Sequence, residues 1–229
     1  MKNTEKNKLQ SIIQATFFET KSKSTKAKDK SVKPRPLVTV ARDFGAEGEQ
    51  VAQIMAKKLG VTCFDQQILD GIVNQIGVDP HLMQKLDERS PSKIEDWIVD
   101  MFSAGKGGRE EFLKRLYLSM NGVAVSGGVV VGRGGQIILA KRQAFRIRVT
   151  GSPEICAKRV SEREGISMEA ARKRVAQVNK ERYEFVKELF QLHPTDSSYY
   201  DLVISSDHLS PEQVADLALN AMKQMGFPV

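Results

Sequence analysis

The stretch Val38-Thr39-Val40-Ala41-Arg42-Asp43-Phe44-Gly45-Ala46-Glu47-Gly48-Glu49-Gln50-Val51-Ala52 constrains the fold more than any other part of the chain. A short apolar run enters a turn with two glycines, and a helical pattern follows directly. This is the strand–loop–helix layout of a phosphate-binding loop. Gly45 and Gly48 let backbone N–H groups point at an anion, and the next helix adds the positive end of its dipole. The loop lacks a Gly-Lys-Ser/Thr sequence, and no lysine follows Gly48 until Lys57. Glu47 and Glu49 stand where phosphate would sit. On its own, a glycine turn before a helix is most often a simple connection.

The rest of the pattern gives that loop a setting. Strand one is Leu37–Ala41, and helix one runs from about Glu47 to Leu59, with Val51, Ile54, Met55 and Leu59 on one face and Gly60 as its stop. Val61–Phe64 reads as a short strand. Helices are expected from Gln66 to Gln75, Pro80 to Leu86, Ser92 to Phe102 and Glu110 to Asn121, with a glycine-rich segment over Ser103–Arg109. Val129-Val130-Val131 is short, fully apolar and bounded by glycines, as suits a strand buried on both faces of a parallel sheet. Phe145–Val149 and Leu202–Ser205 are further strands. Helices are expected over Glu154–Glu164, Ser167–Gln191 and Pro211–Met225, with a break at Gly165. Strands alternating with helices predict a three-layer α/β fold with a mainly parallel sheet.

Charge divides the chain unevenly. Residues 1–36 hold ten Lys/Arg against three Asp/Glu, which equals the whole formal charge of +7, and the remaining residues balance at 25 of each sign. The basic character therefore belongs to a tail, residues 1–36, and the folded domain is expected over 37–229. The favoured reading of the tail is a solubilising, disordered arm, with contact to acidic partners such as a membrane surface or nucleic acid as the lesser alternative. No apolar run approaches the ~20 residues needed to span a bilayer. Cys63 and Cys156 are isolated, without metal-ligand spacing, which suits a reducing cytoplasm better than a disulfide framework.

Several cations could serve an anion at the strand ends. Arg42 closes strand one, where ligands collect in open α/β sheets, and it is the local candidate to replace the missing lysine. Gly132-Arg133-Gly134-Gly135 places a second guanidinium on the same rim, and arginine matches phosphate oxygens through paired hydrogen bonds. Arg159 and Arg163 share a helix face, and Arg172, Arg174, Lys180 and Arg182 lie on the next helix. Such a charge run is usually a solvated face, but several arginines on a helical lid are what phosphoryl transfer requires. Asp65 follows the second strand and reads equally as an N-cap or as a carboxylate for a Mg²⁺–water shell. His81, His193 and His208 lack metal-ligand spacing, and Trp97 is expected in the core.

With these residues in view, residues 37–226 resemble the cytidylate kinase-like family, a branch of the P-loop nucleoside monophosphate kinases. The ordered pieces are Val40–Gly48, Cys63-Phe64-Asp65, Asp87-Glu88-Arg89, Val129–Gly134, Asn179–Arg182 and Tyr199–Ile204. The resemblance implies a P-loop NTPase-like fold with a helical lid over Ser167–Tyr183, and transfer of a phosphoryl group from ATP, with Mg²⁺, to a nucleoside monophosphate, CMP or dCMP first. By position it assigns Arg42, Gly45, Ala46 and Gly48 to the donor, and Arg133 and Gly134 to the acceptor; the residue pattern itself adds Arg159 and Arg163 on the donor side and Asp65 on the acceptor side. The resemblance assigns Arg42, Arg133, Lys180 and Arg182 to catalysis. The chain departs from the enzymes of the family at Gly48 (their lysine), Gln50 (their hydroxyl), Glu47 (a glycine) and Gly134 (an aspartate). These departures make a nucleotide-sensing pseudokinase the alternative reading.

Overall fold

The computed structural model describes residues 35–65, 116, 119, 120 and 122–229. The helices expected over 66–75, 80–86 and 92–102, the glycine-rich 103–109, His81, Trp97 and the tail through residue 34 lie outside the described residues.

Five strands form one sheet: β1 Leu37–Arg42, β2 Cys63–Phe64, β3 Gly128–Val131, β4 Phe145–Thr150 and β5 Leu202–Ser205. Their order is β2-β3-β1-β4-β5, and every pairing is parallel. β1 lies in the centre, with Thr39 opposite Val130 on one side and Arg146 on the other. Its neighbours lie to opposite sides, so the chain reverses direction across the sheet at β1. This is the switch point at which open α/β sheets bind ligands, outside the carboxyl ends of their strands.

The helices are α1 Gly48–Leu59, the single turn α2 Gly135–Ile138, α3 Pro153–Glu164, α4 Met168–Phe190 and α5 Pro211–Gln224. Both faces of the sheet are covered. Val38, Val40, Val129, Val131, Phe145 and Ile147 pack on one side with Met55, Ala157, Val160, Val214, Ala218 and Met222. Leu37, Phe64 and Val130 pack on the other with Leu116, Met120, Val123, Leu139 and Leu189. Alternate residues of β3 thus enter opposite cores, which is why its sequence is apolar throughout. Each fully buried valine or isoleucine contributes about 1.5–3 kcal/mol of transfer free energy.

Element boundaries follow the local chemistry. Gly60 and Gly165 take left-handed conformations and end α1 and α3. Ser167 caps α4, and Ser210 with Gln213 forms a capping box on α5. Three expectations shift. The strand expected over Val61–Phe64 pairs only at Cys63–Phe64. The helix expected to stop at Asn121 is helical at 116, 119 and 120 and continues through 122–126, because Val123 is drawn into the second core. The turn α2 was not expected; its N-cap, Gly134, offers no polar side chain as a signal. Arg35 and Pro36, at the end of the expected tail, pair with the sheet's entry: Arg35 donates to the Ser126 carbonyl (3.2 Å) and Gly128 N–H to the Pro36 carbonyl (2.9 Å). Among the described residues, no helix is long and apolar enough to cross a membrane.

Candidate functional site

The loop between β1 and α1 is held from both sides. Asp43 N–H donates to the Val149 carbonyl (3.0 Å), and its carboxylate accepts from Arg148 Nη2 (2.7 Å). Burial pushes the Asp43 carboxyl above its ordinary range in spite of the opposing pull of Arg148. Glu47 caps α1 at φ +62, in the left-handed region. Gly45 lies against α3 so closely that a Cβ there would meet the Cys156 carbonyl at 2.6 Å. The Phe44 N–H donates to Asn179 Oδ1 of α4 at 2.7 Å, and the Phe44 ring lies beneath the guanidinium groups of Arg163, Arg182 and Arg174 at 5.2–5.9 Å. Cation–π contacts of this kind are worth about 0.5–1 kcal/mol each where exposed.

Arg42 explains the glycine at 48. A Cβ on Gly48 would lie 2.4 Å from Arg42 Cβ, and one on Gly132 would lie 2.4 Å from Arg42 Nη1. The arginine therefore runs across the start of α1, through the space of a residue-48 side chain, and ends at the turn after β3. Its side chain is only 8% exposed, and its Nε donates to Glu49 Oε1 at 2.8 Å. Arg182 of α4 reaches the same oxygen through Nη2 at 3.1 Å and the Arg42 carbonyl through Nη1 at 3.3 Å.

Arg133 completes a cluster of three guanidinium groups. It occupies the turn after β3 at φ +56. Its Nε is buried and has no hydrogen-bond partner among the described residues, and its guanidinium lies 5.9 Å from the Phe185 ring centre. Burial lowers its proton affinity, the Asp65 carboxylate opposes that, and Arg42 adds to it. Burial first, then the neighbouring Arg42 and Arg133, with Glu49 opposing, bring Arg182 down to about 10. Burial alone would raise Glu49, but Arg42 and Arg182 outweigh it and hold the carboxyl below its ordinary value. Three mutually repelling cations beside one paired carboxylate form a site whose electrostatics favour an added anion.

Both loop glutamates are neutralised from within. Glu49 has Arg42 and Arg182, and Glu47 faces Arg159 at 3.5 Å. Arg159 also bonds Ser206 through its carbonyl (2.6 Å) and hydroxyl (2.9 Å) and reaches the Gly45 carbonyl at 3.4 Å. Through these contacts it braces the loop. Arg163 stacks on Phe44 and approaches Glu164.

The other residues singled out in the sequence divide accordingly. Gly45, Ala46 and Gly48 form the loop and the first residue of α1. Asp65 directly follows β2, within electrostatic reach of Arg133. Gly134 takes φ +71, and a Cβ there would meet the Phe190 ring at 2.2 Å, so an aspartate at 134 requires Phe190 to move. Lys180 is not brought to the cluster: it is 61% exposed and pairs with Glu184. It lies about 200° around α4 from Arg182. Asn179 and Phe44 were not singled out as site residues. The i, i+3 spacing of Asn179 and Arg182, in phase with buried Val175 and Val186, is the signal that could have found Asn179. No group of three or more His, Cys, Asp or Glu that could hold a metal ion occurs among the described residues.

The chain is similar to several known proteins in sequence or in fold. A cytidylate kinase from Methanopyrus kandleri is 40% identical over 60 residues, 26% of this chain and 31% of that protein's length. Among solved structures, an uncharacterized protein from Eubacterium ventriosum superposes with a TM-score of 0.62 at 18% identity, covering 82% of this chain and 99% of that one. A gluconokinase from Sinorhizobium meliloti superposes at 0.50 with 14% identity, covering 85% and 95%. The model of the cytidylate kinase-like family matches residues 37–208. A match over that span, three quarters of the sequence, places this chain in the cytidylate kinase-like family.

Proposed function

We propose that the chain binds nucleotides and transfers the γ-phosphoryl group of ATP to a nucleoside monophosphate, CMP or dCMP first. The observation that carries this reading is the convergence of Arg42, Arg133 and Arg182 at the carboxyl ends of β1 and β3, with the Arg133 Nε buried and without a hydrogen-bond partner among the described residues. In this reading the donor phosphates lie over the Gly45–Gly48 loop and the N-terminus of α1, where backbone N–H groups and the helix dipole favour anions. Arg42 supplies the positive charge that a lysine at 48 would otherwise bring. Arg133, with Asp65 nearby, orients the acceptor's phosphate. Arg182 faces the charge that develops on the transferred group.

An acceptor phosphate oxygen attacks the γ-phosphorus as the bond to the ADP oxygen breaks, giving ADP and a nucleoside diphosphate. The protein's contribution is positioning and electrostatics, since little covalent chemistry falls to it. Mg²⁺, arriving with ATP, would neutralise charge on the phosphates. The loop carboxylates of Asp43, Glu47 and Glu49 are all paired with arginines. Asp65, which no described residue salt-bridges, is the carboxylate best suited to the ion's water shell. Lys180, Arg159 and Arg163 serve at most as supports, through the contacts described above. The reading extends to a tail over 1–36, a domain over 37–229 and a cytoplasmic setting.

The test is coupled phosphotransfer with ATP–Mg²⁺ against CMP, dCMP, UMP and AMP. Transfer to CMP or dCMP supports the enzyme. One observation favours a second reading, a nucleotide-sensing module without transfer: Glu49 already occupies two of the three arginines. Absent transfer, with a nucleotide still raising the melting temperature, would favour the sensor. Neither transfer nor nucleotide binding would overturn both.

A further inference from the structure

Glu49 stands where an incoming anion would. Its Oε1 accepts from Arg42 Nε and Arg182 Nη2, and its carboxylate also accepts from its own backbone N–H. That N–H belongs to the first turn of α1, whose amides have no partner within the helix. One carboxylate therefore engages two guanidinium groups and a helix-terminal N–H, the set of donors that binds phosphate at such positions. The neighbouring Arg133 Nε is buried and has no described partner. The Glu49 side chain itself is 35% exposed, so it has a path into solvent.

The same contact ties α4 to the loop. Arg182 holds Glu49 and the Arg42 carbonyl, and Asn179, one turn earlier, holds the Phe44 N–H. A group that takes Glu49's place inherits Arg182 and with it the docking of α4.

We propose that Glu49 is a built-in competitor for the phosphate-bearing ligand, occupying Arg42 and Arg182 until a phosphate displaces it while α4 stays docked through Arg182. The proposal rests on reading the three-arginine cluster as a phosphate site. It makes Glu49 a regulator of occupancy at that site: the ligand must displace an anion already bound, so affinity is lower than the arginines alone would give.

Inorganic pyrophosphate is the probe. The full chain and Glu49→Gln are titrated calorimetrically at one fixed ionic strength, and the melting temperature of each is measured without ligand. The expected result has opposite signs. Glu49→Gln binds pyrophosphate about tenfold more tightly or better, and its unliganded melting temperature falls because two arginines lose their counter-charge. Glu49→Asp, one methylene shorter and still charged, is the second variant. It cannot span both guanidinium groups as well, and it shows a smaller gain in affinity. Equal or weaker pyrophosphate binding by both variants, with the unaltered chain binding normally, overturns the competitor and leaves the phosphate site intact. Failure of all three proteins to bind pyrophosphate overturns the phosphate site and the competitor with it.

Discussion

Gly48→Ala should destabilise the protein, although in a helix that change normally helps. Alanine is favoured over glycine by about 0.8–1.0 kcal/mol inside a helix. Here the new Cβ would lie 2.4 Å from Arg42 Cβ, 2.9 Å from Arg42 Cγ and 3.5 Å from Val149 Cβ. Carbon atoms pack best at about 3.5–4.0 Å, so the first contact is too short by more than an ångström. The side chain that must yield is anchored at Glu49 and against Gly132. Overpacking of this kind costs about 1–3 kcal/mol. Offset by the helix preference, a net loss of up to about 2 kcal/mol is expected, a fall of up to roughly 8 °C in melting temperature for a chain of this size.

Thermal and urea unfolding of Gly48→Ala, Arg42→Gly and the double variant measures this directly. Arg42→Gly removes both the Cβ and the Cγ that the new methyl would meet, so in the double variant the alanine should cost nothing or help. The coupling between the two sites should be about 0.5–3 kcal/mol. A higher melting temperature for Gly48→Ala, or strict additivity in the cycle, would mean that Arg42 does not occupy the residue-48 space, and the account of the missing lysine would fail.

Asn179→Ala leaves a half-buried Phe44 N–H without its acceptor and should cost about 1–3 kcal/mol in urea unfolding; an unchanged midpoint would mean that α4 does not hold the loop through this bond. Glu49 and Asp201 both lie below their ordinary values of 4.5 and 3.8, since arginine partners outweigh the upward push of burial. Their unfolded forms bind protons more readily, so the stability they contribute is complete above about pH 4.5 and is lost as pH falls through the folded values. Asp43, raised by burial, works in the opposite direction. Melting temperatures between about pH 6 and 3 should therefore fall less steeply in Glu49→Gln/Asp201→Asn than in the unaltered chain, and parallel profiles would contradict the assignment. Deleting residues 1–34 should leave the unfolding transition in place, because the first described contacts to the sheet come from Arg35 and Pro36; a transition lowered by several degrees would count against a separate tail.

The strands and the helices α1, α3, α4 and α5 were legible because their signals are local. Val129–Val131 needed only its apolar run and flanking glycines, and α3 and α4 only Gly165 between them. Where a distant element decided, the sequence was silent. The helix through Ser126 is set by Val123 entering a core beneath Phe64 and Leu189. The candidate site divides in the same way. Arg42 and Arg133 were readable because each follows a strand on one rim of the sheet. Arg182 and Lys180 belong to one short motif, and only the phase of α4 separates them. The partners of the arginines were not readable: Asn179 meets Phe44 across 135 residues and Arg148 meets Asp43 across 105. Glu47 and Glu49 read as charges opposed to phosphate. In the structure each is answered by an arginine, and the space of the absent lysine at 48 is filled by Arg42.

The claim that the Arg42, Arg133 and Arg182 cluster is a nucleotide-phosphate site is tested most directly by calorimetric titration of CMP into the unaltered chain and Arg133→Gln. Arg133 has the buried Nε without a partner among the described residues, and glutamine keeps polarity while removing the charge. The account predicts CMP binding by the unaltered chain and at least a tenfold loss in the variant, about 1.4 kcal/mol or more. Equal CMP affinity in the two proteins, or none in the unaltered chain, would contradict it.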